Sequence, residues 1–139
     1  MSSKNVETHK AIHQAFNKRD MEGGVRSVAE GLIYQDKARG VTFHGPRGLK
    51  EFWQGWLTAL SNVQCSDPTY IDAGDAVICQ AFGRGVNDGP LGPLPATGKK
   101  MDLCFCEVIH FNQKGQIVSG ELYYDQMSLL IQLGHAKAS

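Results

Sequence analysis

The sequence predicts an α+β fold in which helices come first and a strongly bent antiparallel sheet follows. Three observations predict it: helical spacing of apolar residues at 6–18, an apolar stripe after Gly45-Pro46, and four strand-like runs beyond residue 62. Helices and strands that are segregated along the chain are typical of this class. We therefore expect the sheet to wrap the aromatic helix as a cone with a cavity.

The size and charge of the chain restrict its partners. A chain of 139 residues is the size of one ordinary domain, so we expect a single domain over residues 1–139. Fourteen Lys and Arg balance fourteen Asp and Glu, which leaves no basic surface for nucleic acid or an anionic membrane. The expected partners are a hydrophobic small molecule and a second copy of the chain.

Cysteine content and apolar patterning bear on the location of the protein. Four cysteines are too few for a secreted disulfide scaffold, and no apolar signal core follows the N-terminus. The apolar stretches are shorter than the roughly twenty residues that span a bilayer. We expect a cytoplasmic protein without a membrane span.

The first third of the chain predicts two helices and two short strands. The second helix, around residues 24–30, is weakened by Gly23 and Gly24. The strands are expected at 32–36 and 41–43. Helical spacing defines the first helix, where the apolar and half-apolar positions are His9, Ile12, His13 and Phe16.

The clearest helix follows Gly45-Pro46, where proline suits the first turn. Its apolar residues form one unbroken stripe, so the helix has to lie on a large apolar surface. We expect one of its two tryptophans to reach the cavity. The stripe comprises Leu49, Phe52, Trp53, Trp56, Leu57 and Leu60.

The second half of the chain predicts an antiparallel meander and a closing helix. The Gly- and Pro-rich residues 86–98 are too irregular for a strand and are a candidate lid. A last helix is expected at 126–133, ending at Gly134. The strand-like runs are 63–72, 76–84, 99–111 and 116–124, with turns at 73–75 and 112–115.

Five segments of the chain stand out in this order: 33–36 (IYQD), 44–52 (HGPRGLKEF), 95–99 (PATGK), 123–126 (YYDQ) and 129–134 (LLIQLG). Together they resemble the SnoaL-like polyketide cyclases, which belong to the nuclear transport factor 2-like superfamily together with the ketosteroid isomerases. The resemblance implies a cone with a ligand pocket between the concave sheet face and the helices, and a homodimer through the outer sheet face. Many relatives have His-Asp-Pro where this chain has Gln35-Asp36-Lys37.

The resemblance implies two candidate catalytic carboxylates. Asp125 lies where these cyclases place a general base, which removes a carbon-bound proton next to a carbonyl before an intramolecular aldol ring closure. Asp36 resembles the position of the base in ketosteroid isomerases. Such chemistry needs no metal or cofactor, but it needs a carboxylate of raised pKa and a donor for the enolate oxygen. Alternatively, Asp125 caps the last helix, and Asp36 is a solvated strand end beside Lys37 and Arg39.

Strand periodicity adds a carboxylate pair. If Gly115 makes a bulged turn, Glu107 and Glu121 share one face with Asp125, and the two glutamates raise each other's pKa. A slip of one residue separates them, and the alternative is a solvent or dimer face for both. Neutral aromatic and imidazole groups are candidate enolate donors. The predicted substrate-binding residues are Tyr34, His44, Trp53, Trp56, Phe105, Glu107 and Tyr123.

Metal and nucleotide sites are not expected. Cys104, Cys106 and His110 lie at even spacing on one strand, and three ligands from one strand cannot surround a tetrahedral ion. Residues 86–98 contain no phosphate-binding pattern.

The sequence thus predicts a cofactor-independent cyclase or isomerase that acts on a hydrophobic polyketide- or steroid-like carbonyl compound. Two alternatives stay open: a module that binds such a ligand without transforming it, and an interaction domain that uses the outer sheet face.

Overall fold

The computed structural model describes residues 3–138 and confirms the α+β class. No helix in this part of the chain is long and apolar enough to cross a membrane. The helices are α1 (Lys4–Lys18), α2 (Met21–Gly24), α3 (Gly45–Ala59) and α4 (Gln126–Gln132). The strands are β1 (Val28–Asp36), β2 (Val41–His44), β3 (Gln64–Asp72), β4 (Ala76–Val86), β5 (Lys100–Phe111) and β6 (Ile117–Tyr123).

The six strands form one open, bent sheet in the order β2-β1-β6-β5-β4-β3. Strands β3 to β6 make the predicted antiparallel meander. The pairing of β1 with β6 is parallel, which the sequence did not predict. This pairing places the N-terminal strands beside the end of the meander, so residues far apart in sequence meet at the sheet centre.

The long helices form where the apolar periodicity predicted them. The hydroxyl of Ser3 caps α1 by accepting a hydrogen bond from the Val6 amide. Helix α3 buries Leu49, Phe52 and Trp53 against the sheet. The second predicted helix is only the single turn α2, and β1 begins at Val28, four residues earlier than expected.

A register shift separates the two glutamates that the sequence placed on one face. The pairing of β5 with β6 shifts between His110 and Phe111, so that Glu107 lies opposite Leu122 and Glu121 lies opposite Val108. A shift of one residue moves a side chain to the other face of the sheet. Glu107 therefore faces inward, whereas Glu121 lies on the outer face, 2.9 Å from the Nε2 atom of His110. The predicted opposed pair is wrong.

The Gly- and Pro-rich loop packs against the end of α3. Buried Asn87 donates to the Ala59 carbonyl at 3.0 Å and accepts from the Thr97 amide at 2.9 Å. None of residues 87–99 lines the cavity between the helices and the sheet. The loop therefore does not occupy the lid position that we predicted for it.

We expect Gly120→Ala to destabilise the sheet centre. A Cβ atom on Gly120 would lie 2.8 Å from Tyr34 Cδ1 and 2.9 Å from Ile109 Cδ1. Such overpacking costs about 1–3 kcal/mol of the free energy of unfolding, which urea denaturation measures. Gly31→Ala on β1 is the control, because a Cβ atom there meets no atom within 4 Å. Equal stability of the two variants would contradict this packing.

Candidate active site

An apolar cavity of about 90 Å³ lies between the helices and the concave face of the sheet. One water molecule needs about 10–15 Å³ of cavity volume. The volume of this cavity is therefore large enough for a ligand of about one or two rings. Polar groups of the lining come from several elements, and besides the two indole N–H groups they belong to His13, Tyr34, Gln64, Cys65, Glu107 and Tyr124. The apolar lining includes Phe16, Phe52, Trp53, Trp56, Leu103 and Phe105.

The principal polar group of the wall is a histidine–glutamate cluster, formed by His9, His13, Tyr34 and Glu107. Glu107 Oε1 is 2.8 Å from Nε2 of His9 and 2.8 Å from Nε2 of His13. The Tyr34 hydroxyl donates to Glu107 Oε2. One buried carboxylate thus accepts three hydrogen bonds.

Three elements bring this cluster together. His9 and His13 are one turn apart on α1 and therefore project from the same face of that helix. Glu107 points inward from β5, and Tyr34 reaches it from β1. The Tyr70 hydroxyl, from β3, is 2.8 Å from Nδ1 of His13.

The hydrogen bonds assign the tautomer of His13. An ionised carboxylate only accepts hydrogen bonds, so the proton of a neutral His13 is on Nε2. Its Nδ1 is then an acceptor, and Tyr70 donates to it. The same argument places a proton on Nε2 of His9, whose Nδ1 is buried without a hydrogen-bond partner in the described part of the chain.

The charges of Glu107 and His13 stabilise each other. Burial by itself raises the pKa of Glu107, but hydrogen bonds from His13 and His9 lower it to well below its usual range. Burial lowers the pKa of His13, whereas hydrogen bonds with Cys65, Cys79 and Glu107 raise it well above 6.5. Glu107 is therefore ionised, and His13 is a stronger base than free imidazole.

Asp36 is not a solvated strand end, because its side chain is 0 % exposed. Its carboxylate accepts from the amides of Ala38 and Arg39 at 3.1 Å and from Nε of Arg39 at 2.7 Å. The Tyr124 hydroxyl also donates to it, at 2.9 Å. Asp36 itself does not line the cavity, but its partner Tyr124 does.

Asp125 lies at the surface and caps α4. Its carboxylate accepts from the Met127 amide at 3.0 Å and from the Ser128 hydroxyl at 2.8 Å. These contacts confirm the alternative reading of Asp125 as a helix cap. Hydrogen bonds from Ser128 lower the pKa of Asp125, which is opposite to the shift that a general base needs. A catalytic role for Asp125 stays a prediction.

The cavity contains five of the seven predicted substrate-binding residues, and both tryptophans are among them. The two exceptions are His44, the exposed residue before α3, and Tyr123, which is 45 % exposed. Tyr123 lies opposite Cys106 on the outer face because of the register shift. The five that line the cavity are Tyr34, Trp53, Trp56, Phe105 and Glu107.

The sequence did not lead us to predict His9 and His13 as site residues. Two histidines at i and i+4 on an apolar helix face were the available signal, since burial there requires a polar partner. The partner is Glu107, which follows His13 by 94 residues. Tyr70 and Tyr124 had no comparable signal.

The histidines also lie beside a buried thiol. Nitrogen atoms of His9 and His13 and the sulfur of Cys79 lie within 4.8 Å of one another. Both imidazoles direct Nε2 at the same Glu107 oxygen, and burial raises the pKa of Cys79, which keeps its thiol protonated. Hydrogen bonding accounts for this arrangement. On β5, Cys104 is exposed and His110 pairs with Glu121.

Comparison with solved structures shows the same fold. A candidate SnoaL-like polyketide cyclase from Jannaschia sp. CCS1 matches with a TM-score of 0.87 and 16% identity over 99% of both chains. IdmH, a candidate polyketide cyclase from Streptomyces antibioticus, gives 0.80 and 20% over 95% of this chain and 99% of that one. A ketosteroid isomerase-like protein from Catenulispora acidiphila, in complex with trimethylamine, gives 0.80 and 21% over 94% of each chain.

Sequence comparison identifies the family. No curated protein matches the chain. The family model of the SnoaL-like polyketide cyclases matches residues 6–133, which include every helix and strand except the first two residues of α1. The chain therefore belongs to the SnoaL-like polyketide cyclase family and has a ketosteroid isomerase-like fold.

Proposed function

We propose that this protein catalyses proton transfer next to a carbonyl group of an apolar, ring-bearing small molecule, without a cofactor. The outcome is isomerisation or aldol ring closure, the latter in keeping with its family. The observation that carries the proposal is the buried His13–Glu107 pair in the wall of an apolar cavity. Apolar walls favour such a substrate, and the pair supplies the acid–base group.

His13 is the base in this proposal, and Glu107 supports it. A carboxylate whose pKa is lowered by hydrogen bonds from two histidines is a weak base, so Glu107 does not take the substrate proton itself. Instead it holds the Nε2 proton of His13 and stabilises the imidazolium that forms, as carboxylates do in other histidine pairs. The substrate proton goes to Nδ1 of His13, the ring nitrogen that does not face Glu107, in place of the hydrogen bond from the Tyr70 hydroxyl.

The enolate oxygen needs a neutral donor in the cavity. Trp53 and Trp56 both line the cavity, and an indole N–H only donates. We assign this role to Trp56, which is less deeply buried than Trp53 and packs edge-on against Tyr124 at 5.7 Å between ring centroids. The donor stabilises charge that develops on oxygen while His13 takes the proton.

Deuterium exchange tests the proposal without knowledge of the natural substrate. We expect the wild-type protein in D₂O to exchange the protons next to the carbonyl of 1-tetralone, a bicyclic ketone, faster than buffer does. Nuclear magnetic resonance measures the rate, and His13→Gln should lower it to near background. A module that only binds would retain 1-tetralone and return it unlabelled, and that result would reject the catalytic proposal in favour of the binding alternative.

The pH dependence of exchange should report His13. Below its pKa, which lies above 6.5, His13 is protonated and cannot accept a proton. We therefore expect kcat/KM to rise with pH through that pKa and then to level off. The titratable groups that face His13 are His9 on α1, Cys65 and Tyr70 on β3, Cys79 on β4 and Glu107 on β5. A profile that is flat from pH 5 to 9 would contradict His13 as the base.

We also retain, as a proposal, the homodimer through the outer sheet face. Ile71 and Tyr123 on that sheet are large, exposed apolar side chains. A second copy of the chain would cover such residues.

A further inference from the structure

A second polar group reaches the cavity on the side of Tyr124. This residue directly follows β6, lines the cavity, and packs edge-on against Trp56. Its hydroxyl lies 2.9 Å from Oδ2 of Asp36, at the end of the neighbouring strand β1. The mechanism proposed above uses neither Tyr124 nor Asp36.

The partners of Asp36 determine the direction of this hydrogen bond. Oδ2 of Asp36 also accepts from Nε of Arg39, and Oδ1 accepts from the Ala38 and Arg39 amides. The guanidinium keeps a positive charge beside the carboxylate, and an ionised carboxylate accepts but never donates. The proton between the two residues therefore belongs to Tyr124, which donates it to Asp36.

Tyr124 keeps that proton. Burial raises the pKa of its hydroxyl, the negative charge of Asp36 raises it further, and the Arg39 charge offsets only part of this increase. A neutral phenol whose proton is already donated presents an oxygen lone pair to any other neighbour. Toward a ligand in the cavity, Tyr124 is then an acceptor.

We propose that Tyr124 is a specificity-determining residue that accepts a hydrogen bond from a hydroxyl group of the ligand, with Asp36 and Arg39 as the residues that position it. The substrate class is thereby narrowed to ring compounds that carry a phenolic or enolic hydroxyl besides the reacting carbonyl. The reacting carbonyl in this substrate class rests on the proposed function, whereas the hydroxyl does not. The selection of a hydroxyl is a property of binding.

A pair of ligands that differ in whether the oxygen carries a proton or a methyl group tests this assignment. The hydroxyl of 2-naphthol donates a hydrogen bond, whereas the ether oxygen of 2-methoxynaphthalene only accepts. Binding is followed through the fluorescence of Trp53 and Trp56, which line the cavity. We expect the wild-type protein to bind 2-naphthol about five- to tenfold more tightly, the usual effect of one hydrogen bond.

The Tyr124→Phe variant should abolish this preference and leave the affinity for 2-methoxynaphthalene unchanged, which shows at the same time that the cavity is intact. Tyr123→Phe is the matched comparison, because that hydroxyl lies on the outer face, and it should keep the preference. A wild-type protein that binds both compounds equally or binds neither, or a preference that persists in Tyr124→Phe, would overturn the assignment. This measurement follows binding and does not depend on deuterium exchange. A failure of the hydroxyl selection is therefore distinguished from a failure of the proposed catalytic function.

Discussion

Replacement of Glu107 by Gln should lower kcat/KM for deuterium exchange of 1-tetralone by about 10²-fold or more, the usual contribution of an acid–base group. The amide keeps the shape of the carboxylate but loses the charge that stabilises protonated His13. The pKa of His13 should then fall, because burial, which lowers it, is no longer opposed by Glu107. The rising limb of the pH profile should move to lower pH while the plateau decreases.

The matched control is Glu121→Gln on the adjacent strand. Glu121 also pairs with a histidine, His110, but it lies on the outer face of the sheet and away from the cavity. Exchange by this variant should remain close to that of the wild-type protein. The same loss in both glutamine variants would indicate a general effect on folding and would remove Glu107 from the mechanism.

Asp125→Asn decides between the two candidate bases. The family resemblance assigns the base to Asp125, whereas the geometry favours the His13–Glu107 pair. If Asp125→Asn abolishes exchange while Glu107→Gln retains it, the base is Asp125 and our assignment is wrong. Asparagine is itself a good helix cap, so the fold should tolerate this substitution.

The second large effect is expected in stability. Asp36→Ala should lower the free energy of unfolding by about 2–3 kcal/mol, because it leaves the Tyr124 hydroxyl and two backbone amides without their acceptor. Removal of one partner from a fully buried ion pair costs more, about 3–5 kcal/mol. The loss here should be smaller, because Arg39 is one-third exposed and its guanidinium can turn toward water. Urea denaturation at neutral pH measures the difference.

Asp125→Ala provides the comparison for this result. Asp125 makes a similar number of hydrogen bonds but is exposed, so water replaces the lost partners, and its effect on stability should be clearly smaller. Equal losses in the two alanine variants would contradict the buried position of Asp36. Asp36→Asn should be milder than Asp36→Ala, because the amide oxygen still accepts from Tyr124 and the backbone.

The sequence by itself determined the family and most of the helices and strands. Helices depend on contacts between residues a few positions apart. The spacing of the apolar stripe from Leu49 to Leu60 is therefore sufficient to predict α3, and the glycine after α4 is sufficient to predict where α4 ends. Gly134 indeed has the left-handed φ of 83° that such an ending favours. The ordered motifs likewise predicted the family that the comparison with family models showed.

Only the tertiary structure decided which side chains form the site. The one-residue shift between His110 and Phe111 directs Glu107 inward and Glu121 outward, and no local pattern reveals it because either register satisfies strand propensity. The contact between His13 and Glu107 joins residues 94 positions apart, across a helix and a sheet that meet only in the folded chain. Local spacing determines helices and strands, whereas the ionisation and contacts of a buried carboxylate depend on the whole surrounding packing.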